Sequence, residues 1–409
     1  MPFELLVALR YLREGRGQTW LILGGVGVGV GVIIFLSALI GGLQASLVAR
    51  TLGSQAHVVV RPREEMPRVL GASDGVVSET RVERPAQRVR SIVQWQRARA
   101  DIERLPNVVA TAPTISGAAI AVRGDGIKSV VVRGVEPENY QRIVPLDSFL
   151  VQGRIDLTGF RAVIGTELAR DLGLSEGDRF RLRVGNEGPS DESGVYTVSG
   201  IFDIGNTDLN ERWVFVSLRA TQSMFGLEGG VSTIEVKGTE IYGAESLAQR
   251  IAALTGLDAA SWMRTNAQLL TGLRSQNASS VMIQTFVILA VALGIASVLA
   301  VSVVQKSREI GILRATGTST RQVMRIFLIQ GAIVGLLGSG IGIAMGVGLG
   351  LVFSRLALNP DGSPTFPVTL DAVLYVRSTA LALGVGLAAA ILPARRAART
   401  DPAEIIRYG

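Results

Sequence analysis

Four long stretches without a charged side chain decide most of what this chain can fold into. Gly17 to Ala49 carries no charge, nor does Gln276 to Gln305, nor Ile326 to Ser354. Ser378 to Ala394 is a fourth, shorter run, and Ala372 to Tyr375 lengthens it if the stem of Arg377 snorkels to the interface. Crossing the roughly 30 Å of bilayer hydrocarbon takes about 20 apolar residues, with every backbone polar group bonded within the helix. The sequence therefore predicts four transmembrane α-helices, at 17–49, 276–305, 326–354 and 373–394. The first run is much longer than the roughly 7–15-residue apolar stretch of a secretory leader. It also lacks a clear A-x-A pattern, so it is expected to remain as an anchor.

The charges are distributed as this layout requires. Residues 50–275 hold 27 Lys+Arg and 27 Asp+Glu, whereas the rest of the chain holds 14 basic and 7 acidic residues, the whole of the net +7. Arg10, Arg13 and Arg16 precede the first run. Lys306, Arg308, Arg314, Arg321 and Arg325 lie between the second and third, and Arg395, Arg396, Arg399 and Arg407 follow the fourth. The loop 355–372 and its border offer only Arg355 and Arg377. Positive residues stay on the cytoplasmic side, so both termini and the loop 306–325 are expected there, with 50–275 and 355–372 outside. The basic surplus then belongs to membrane flanks and not to a nucleic-acid surface. No basic stripe with interleaved aromatics is present, and the Arg-rich run from Arg81 to Arg104 is diluted by Glu83, Asp101 and Glu103, as on a solvated face.

Several chemistries are excluded or made improbable by composition. With no Cys there are no disulfides, thiol nucleophiles or thiolate metal sites. The single histidine, His57, cannot supply a histidine metal cluster, and within Ala56-His57-Val58-Val59-Val60 it reads as a structural residue of a strand. There is no G-x-x-x-x-G-K-[ST] loop to cradle ATP. The chain is thus expected to hold no catalytic residues, cofactor or metal of its own.

Residues 50–275 read as an α+β domain. Strands are expected at His57–Arg61, Val108–Ala112, Gly117–Arg123, Lys128–Val135, Arg179–Val184, Val195–Phe202, Trp213–Ser217 and Thr233–Val236. Helices are expected at Ser91–Leu105, Thr166–Leu172 and Ala244–Leu254, with a mobile loop over Glu64–Arg90 and a β-rich subdomain over about 140–228. The amphipathic segment Ser261–Ser280 runs into the second span with no Pro or Gly after Gly272, which would make one stiff rod if helical throughout. Such a rod could carry motion or simply tether the domain. Residues 1–16 suit an interfacial helix along the inner leaflet.

Two segments carry a resemblance. After the second run stands Lys306-Ser307-Arg308-Glu309-Ile310-Gly311-Ile312-Leu313-Arg314-Ala315-Thr316-Gly317, and the chain ends Pro393-Ala394-Arg395-Arg396-Ala397, then Asp401-Pro402-Ala403-Glu404. Together with the one-plus-three span layout, these closely resemble the FtsX/MacB-type ABC transporter permeases. Ala8–Arg13, Ala112-Pro113, Val131–Pro137, Phe149–Gly153 and Val163–Ala169 are similar to the lipoprotein-releasing LolC/LolE branch. One departure is the short loop Gly185–Gly194 with its single Pro189, where that branch carries a long chaperone-gripping excursion.

The resemblance implies a multi-pass protein of the bacterial inner membrane with a periplasmic domain between the first two helices, working as a homo- or heterodimer. Two copies of a separate ABC ATPase would hold the ATP and Mg. Lipoprotein would be the cargo, with a periplasmic chaperone or adaptor as a further partner, membrane lipids around it, and no nucleic acid. It also implies that the 306–325 loop forms a short coupling helix on the ATPase. Lys306, Arg308, Glu309 and Arg314 would set register, and Ile310, Ile312 and Leu313 would be apolar anchors; otherwise the loop is only a topology signal. A MacB-like or DevC-like exporter of glycolipid, peptide or drug, and an FtsX-like signal transducer to cell-wall hydrolases, are the rival readings. Gly331, Gly335, Gly338, Gly342, Gly346 and Gly350 are spaced for close helix packing. Val28, Val32, Phe35 and Leu39 could face acyl chains of the cargo or ordinary lipid.

Overall fold

The computed structural model describes residues 3–63, 90–184, 192–356, 368 and 371–399. The expected loop at 64–89, most of the loop 185–194 and the tail beyond Arg399 lie outside them. The chain divides into two compact units, Met1–Val48 with Thr271–Gly409, and Ala49–Leu270.

Among the described residues of the first unit, four helices are long and apolar enough to cross a membrane. Span 1 is Arg16–Gly53, span 2 Ala267–Gln305, span 3 Thr320–Leu356 and span 4 Ala372–Ala398. Each outruns the apolar run that announced it. The expected rod before span 2 is shorter than the amphipathic pattern suggests. Asp258–Ser261 is a strand, a single turn follows at Trp262–Thr265, and the long helix starts at Ala267. From there 39 residues run unbroken, about 58 Å at 1.5 Å per residue. A separate helix, Phe3–Glu14, precedes span 1.

Glycine decides which spans touch. In span 3, a Cβ at Gly331 would fall on the carbonyl oxygen of Gly386 in span 4, and one at Gly335 would lie 2.6 Å from the Ala382 carbonyl oxygen. One turn further on, the stripe meets span 1. A Cβ at Gly338 would come within 2.5 Å of Val26, one at Gly342 within 2.8 Å of the Gly27 carbonyl oxygen, and one at Gly346 within 3.1 Å of the Gly31 carbonyl oxygen. Gly350 is buried on the same helix. Span 1 returns the favour on its other side, where Gly29 receives Val291 of span 2. A hydrogen bond from Gln284 Nε2 to Ser37 Oγ, 3.0 Å, adds polar glue between the same two helices.

Among its described residues the second unit is built on ten strands. They are β1 (Val58–Arg61), β2 (Val108–Arg123), β3 (Gly126–Val135), β4 (Leu150–Gly153), β5 (Arg161–Gly165), β6 (Arg179–Val184), β7 (Glu192–Phe202), β8 (Trp213–Ser217), β9 (Thr233–Gly238) and β10 (Asp258–Ser261). The hydrogen-bonded path runs β10-β1-β9-β2-β3-β8-β5-β7-β4, while β6 pairs with both β2 and β7. The path β2-β3-β8-β5-β7-β6 therefore returns to β2 and closes a six-stranded ring. Ala121, Val132, Ile164, Phe180, Leu182, Tyr196, Val198 and Val214 fill one core of this unit. The β-rich region is accordingly not confined to 140–228, because β2 and β3 supply two walls of the ring.

The two strands expected at 108–112 and 117–123 are one. Pro113 and Gly117 look like interruptions, but β2 changes partner there. It pairs with β9 over Val108–Thr114 and with β3 over Thr114–Arg123. Gly117 also makes room for the ring of Phe225, which a Cβ would strike.

His57 is structural. It is 6 % exposed, its Nδ1 accepts the Gly238 N–H at 3.2 Å, and its carbonyl accepts the Trp262 N–H at 2.9 Å. Burial, with Lys237 nearby, holds its pKa below the ordinary 6.5. The neutral ring is thus the folded form, and the unfolded chain binds the extra proton. This contribution to stability is present above pH 6.5 and is lost as pH falls toward the folded pKa. We expect melting of the full chain in detergent to show that fall between pH 7 and 5, and His57→Gln to flatten it. An identical pH profile in the variant would remove His57 as its source.

Candidate functional site

The turn between spans 2 and 3 is assembled from local rules. Span 2 ends at Gln305, and Lys306 leaves helical geometry at φ −97°, ψ 11°. A nine-residue helix, Ser307–Ala315, follows at once. Gly317, with φ +104°, occupies the left-handed region that favours glycine and turns the chain back. Ser319 and Gln322 then cap span 3 reciprocally. The Ser319 N–H donates to Gln322 Oε1 at 2.9 Å, and the Gln322 N–H donates to Ser319 Oγ at 3.3 Å.

The short helix is two-faced. Ile310 is 1 % exposed and packs with Val303, Val323, Phe327, Ala394, Ala397 and Ala398, tying spans 2, 3 and 4 together. It is therefore part of the protein's own core, a correction to its expected role as an external anchor. Ile312 is the reverse, a large apolar side chain left 52 % exposed. Arg308 is exposed on this helix, and Leu313 and Arg314 are half-buried.

An ionic clasp fixes where this helix begins. Lys306 Nζ lies 2.6 Å from Glu14 Oε2 and 2.7 Å from Glu309 Oε1. Arg10 Nε reaches the other oxygen of Glu14 at 2.7 Å, and Lys306 sits 5.5 Å from the centre of the Tyr11 ring. Hydrogen bonds from Lys306 and then Arg10 hold the Glu14 carboxyl down to about 2. Those same bonds to Glu14 and Glu309 raise the Lys306 pKa above 10.5. Burial and the Glu309 charge push the Tyr11 hydroxyl up to about 12. Glu14 and Lys306 thus keep their charges through the physiological range. Glu309 is spent on it, so it is not a free rim charge. The residues missed from sequence are Arg10, Tyr11 and Glu14. Only the rarity of acids outside 50–275 pointed to Glu14, and nothing in the spacing linked residues 14 and 306.

Of the six glycines, Gly331 and Gly335 meet span 4, Gly338, Gly342 and Gly346 meet span 1, and Gly350 is buried. Of the residues suggested to meet acyl chains, Val28 is 49 % exposed while Val32, Phe35 and Leu39 are half-buried. Phe35 is partly covered by the edge-on ring of Phe353, centroids 5.8 Å apart. Among the described residues no group of three His, Asp or Glu side chains could hold a metal.

Comparison with known proteins supplies the family. Residues 19–254 match the family described as MacB-like periplasmic core domain, and residues 281–402 match the FtsX-like permease C-terminal family. A lipoprotein-releasing system transmembrane protein LolC of Xylella fastidiosa is 27 % identical over 439 aligned residues, covering 100 % of this chain and 99 % of the relative. A macrolide export ATP-binding/permease protein MacB of Hyphomonas neptunium is 26 % identical, covering 97 % of this chain but 59 % of the relative. The crystal structure of the periplasmic region of MacB from Actinobacillus actinomycetemcomitans aligns with 55 % of this chain at TM-score 0.35 and 12 % identity. On the extent of the family matches, the chain belongs to the FtsX/MacB-type ABC transporter permeases.

Proposed function

We propose that the chain is the permease subunit of a lipoprotein-releasing ABC complex of the bacterial inner membrane. In this reading both termini and the 306–319 turn face the cytoplasm and residues 50–275 face the periplasm. The subunit pairs with a second permease and with two copies of a separate ATPase that holds the ATP and Mg. Closure of the ATPases pushes on the Ser307–Ala315 helix. Ile310 passes that displacement into the packed ends of spans 2, 3 and 4, and span 2 carries it onward along one unbroken helix. The outer unit then detaches lipoprotein from the leaflet, without passage through the protein.

The observation that supports this reading over macrolide export is the end-to-end alignment with the LolC relative. Affinity capture of the chain from native membranes, with mass spectrometry of what is retained, separates the two. An ATPase with acylated lipoproteins or a second permease supports release. An adaptor with an outer-membrane duct supports export.

The docking claim has its own test. Glu309→Lys would break the clasp as well as any ATPase contact, so the exposed face is the cleaner target. Ile312→Asp is expected to cut ATP-driven release by about tenfold or more, because a central apolar anchor is the kind of residue that dominates an interface. Folding should be unchanged, since Ile312 is already half in solvent. Wild-type coupling in the variant would remove Ile312 from the interface.

A further inference from the structure

A cavity of about 370 Å³ lies where the Phe3–Glu14 helix meets spans 1 and 3. Its walls are Leu9, Leu12, Leu23, Ile333 and Leu337, with Arg13 among the lining residues. The volume is in the range of small-ligand sites, about 300–1,000 Å³. Thr19, also in the wall, already donates its hydroxyl to the Leu12 carbonyl at 2.8 Å, which leaves the lining apolar apart from Arg13.

Three features say what fits. Trp20 is 69 % exposed in the first turns of span 1, and exposed Trp at a span end marks headgroup depth. Phe3, Leu6 and Leu9 are exposed apolar residues on the short helix, as on a helix lying in the interface. The third feature is charge. Arg10 is held by Glu14, but Arg13 forms no ion pair among the described residues. An apolar cavity at headgroup depth with one uncommitted guanidinium calls for an amphiphile with an anionic head.

We propose that this cavity holds one anionic phospholipid of the adjacent leaflet, with an acyl chain between Leu23, Ile333 and Leu337 and its phosphate on Arg13. The bound lipid would brace the helix that carries Glu14 and so steady the clasp on Lys306. The proposal rests on the membrane-spanning role of the long helices and not on the identity of any cargo.

The test is native mass spectrometry of the full chain, purified in mild detergent and equilibrated with equimolar phosphatidylglycerol and phosphatidylethanolamine. Wild type should retain one phospholipid per chain, with phosphatidylglycerol preferred about fivefold, as one basic residue near the surface confers. Arg13→Gln should keep a phospholipid but lose the preference, Arg13→Lys should keep both, and Leu337→Trp, which fills the cavity from a half-exposed position, should abolish retention. A thermal melt of each variant checks folding. The proposal is overturned by unchanged selectivity in a folded Arg13→Gln, by full retention in a folded Leu337→Trp, or by a retained mass matching an acylated peptide.

Discussion

Replacing Arg133 or Glu235 alone should cost the outer unit about 3–5 kcal/mol, the usual penalty for orphaning a buried charge. Arg133 on β3 pairs with Glu235 on β9, and the two side chains are only 11 % and 7 % exposed. The guanidinium is stacked 4.3 Å from the centre of the Trp213 ring and 5.5 Å from that of Tyr140. The surroundings are dry enough that burial drives the Tyr140 hydroxyl well above its usual range. Either single variant, Arg133→Met or Glu235→Gln, leaves one charge in that aromatic setting with no counter-charge. Against a typical domain stability of about 5–15 kcal/mol this is a large fraction. The double variant should recover most of the loss, because the desolvation of both charges disappears with the pair. Denaturant unfolding of the full chain in detergent, followed by tryptophan fluorescence, reads this through Trp213 together with Trp95 and Trp262 of the same unit. A Glu235→Gln protein within about 1 kcal/mol of wild type would show that the pair is not holding the sheet.

The second large effect is expected in the membrane unit. Gly331→Val sets a branched side chain where the Gly386 carbonyl already stands. The obstacle is backbone, which cannot rotate aside, so spans 3 and 4 must separate. Overpacking of a core costs about 1–3 kcal/mol when side chains can yield, and here the cost should reach or exceed the top of that range. Gly340→Ala is the control. It lies on the same helix with nothing within 4 Å, and it should be neutral or stabilising by up to about 1 kcal/mol through helix propensity. Detergent-resistant melting temperatures of the two variants should therefore move apart. If Gly331→Val melts with Gly340→Ala, the close approach of spans 3 and 4 is not what binds them.

These two sites also show where the sequence could be read and where it could not. The spans announce themselves because hydrocarbon demands long uncharged runs, and no tertiary fact is needed to see them. The capping residues Ser319 and Gln322 and the turn at Gly317 are similarly local. Ile310 and Ile312 are a different matter. Two positions apart on a helix, they point in nearly opposite directions, and only the packing of spans 2, 3 and 4 decides which is core. The glycine spacing of span 3 promised close packing but could not show that its two halves serve different neighbours. Arg133 is the extreme case. A charged residue in a strand reads as solvent-facing, and its partner is 102 residues away, beyond any spacing rule. The joining of 108–123 into one strand was hidden for a related reason, since Pro113 is tolerated because the strand is exchanging partners at that point.

The split glycine stripe of span 3 has a consequence for how the protein is made. Span 1 leaves the ribosome early, but the surface it packs against, Gly338 to Gly346, is translated roughly 300 residues later. At about 5–20 residues per second, span 1 resides in the bilayer for roughly 15–60 s before that partner exists. Its own grooves at Gly27 and Gly31 are meanwhile open to lipid. Spans 3 and 4, adjacent in the chain, meet almost as soon as both are inserted. Biogenesis thus has a built-in order, with span 2 covering the Gly29 side of the early anchor and a late hairpin of spans 3 and 4 closing its other side. A chain released before span 3 would leave the Gly27 and Gly31 side of its N-terminal anchor uncovered before the quality-control proteases of the membrane.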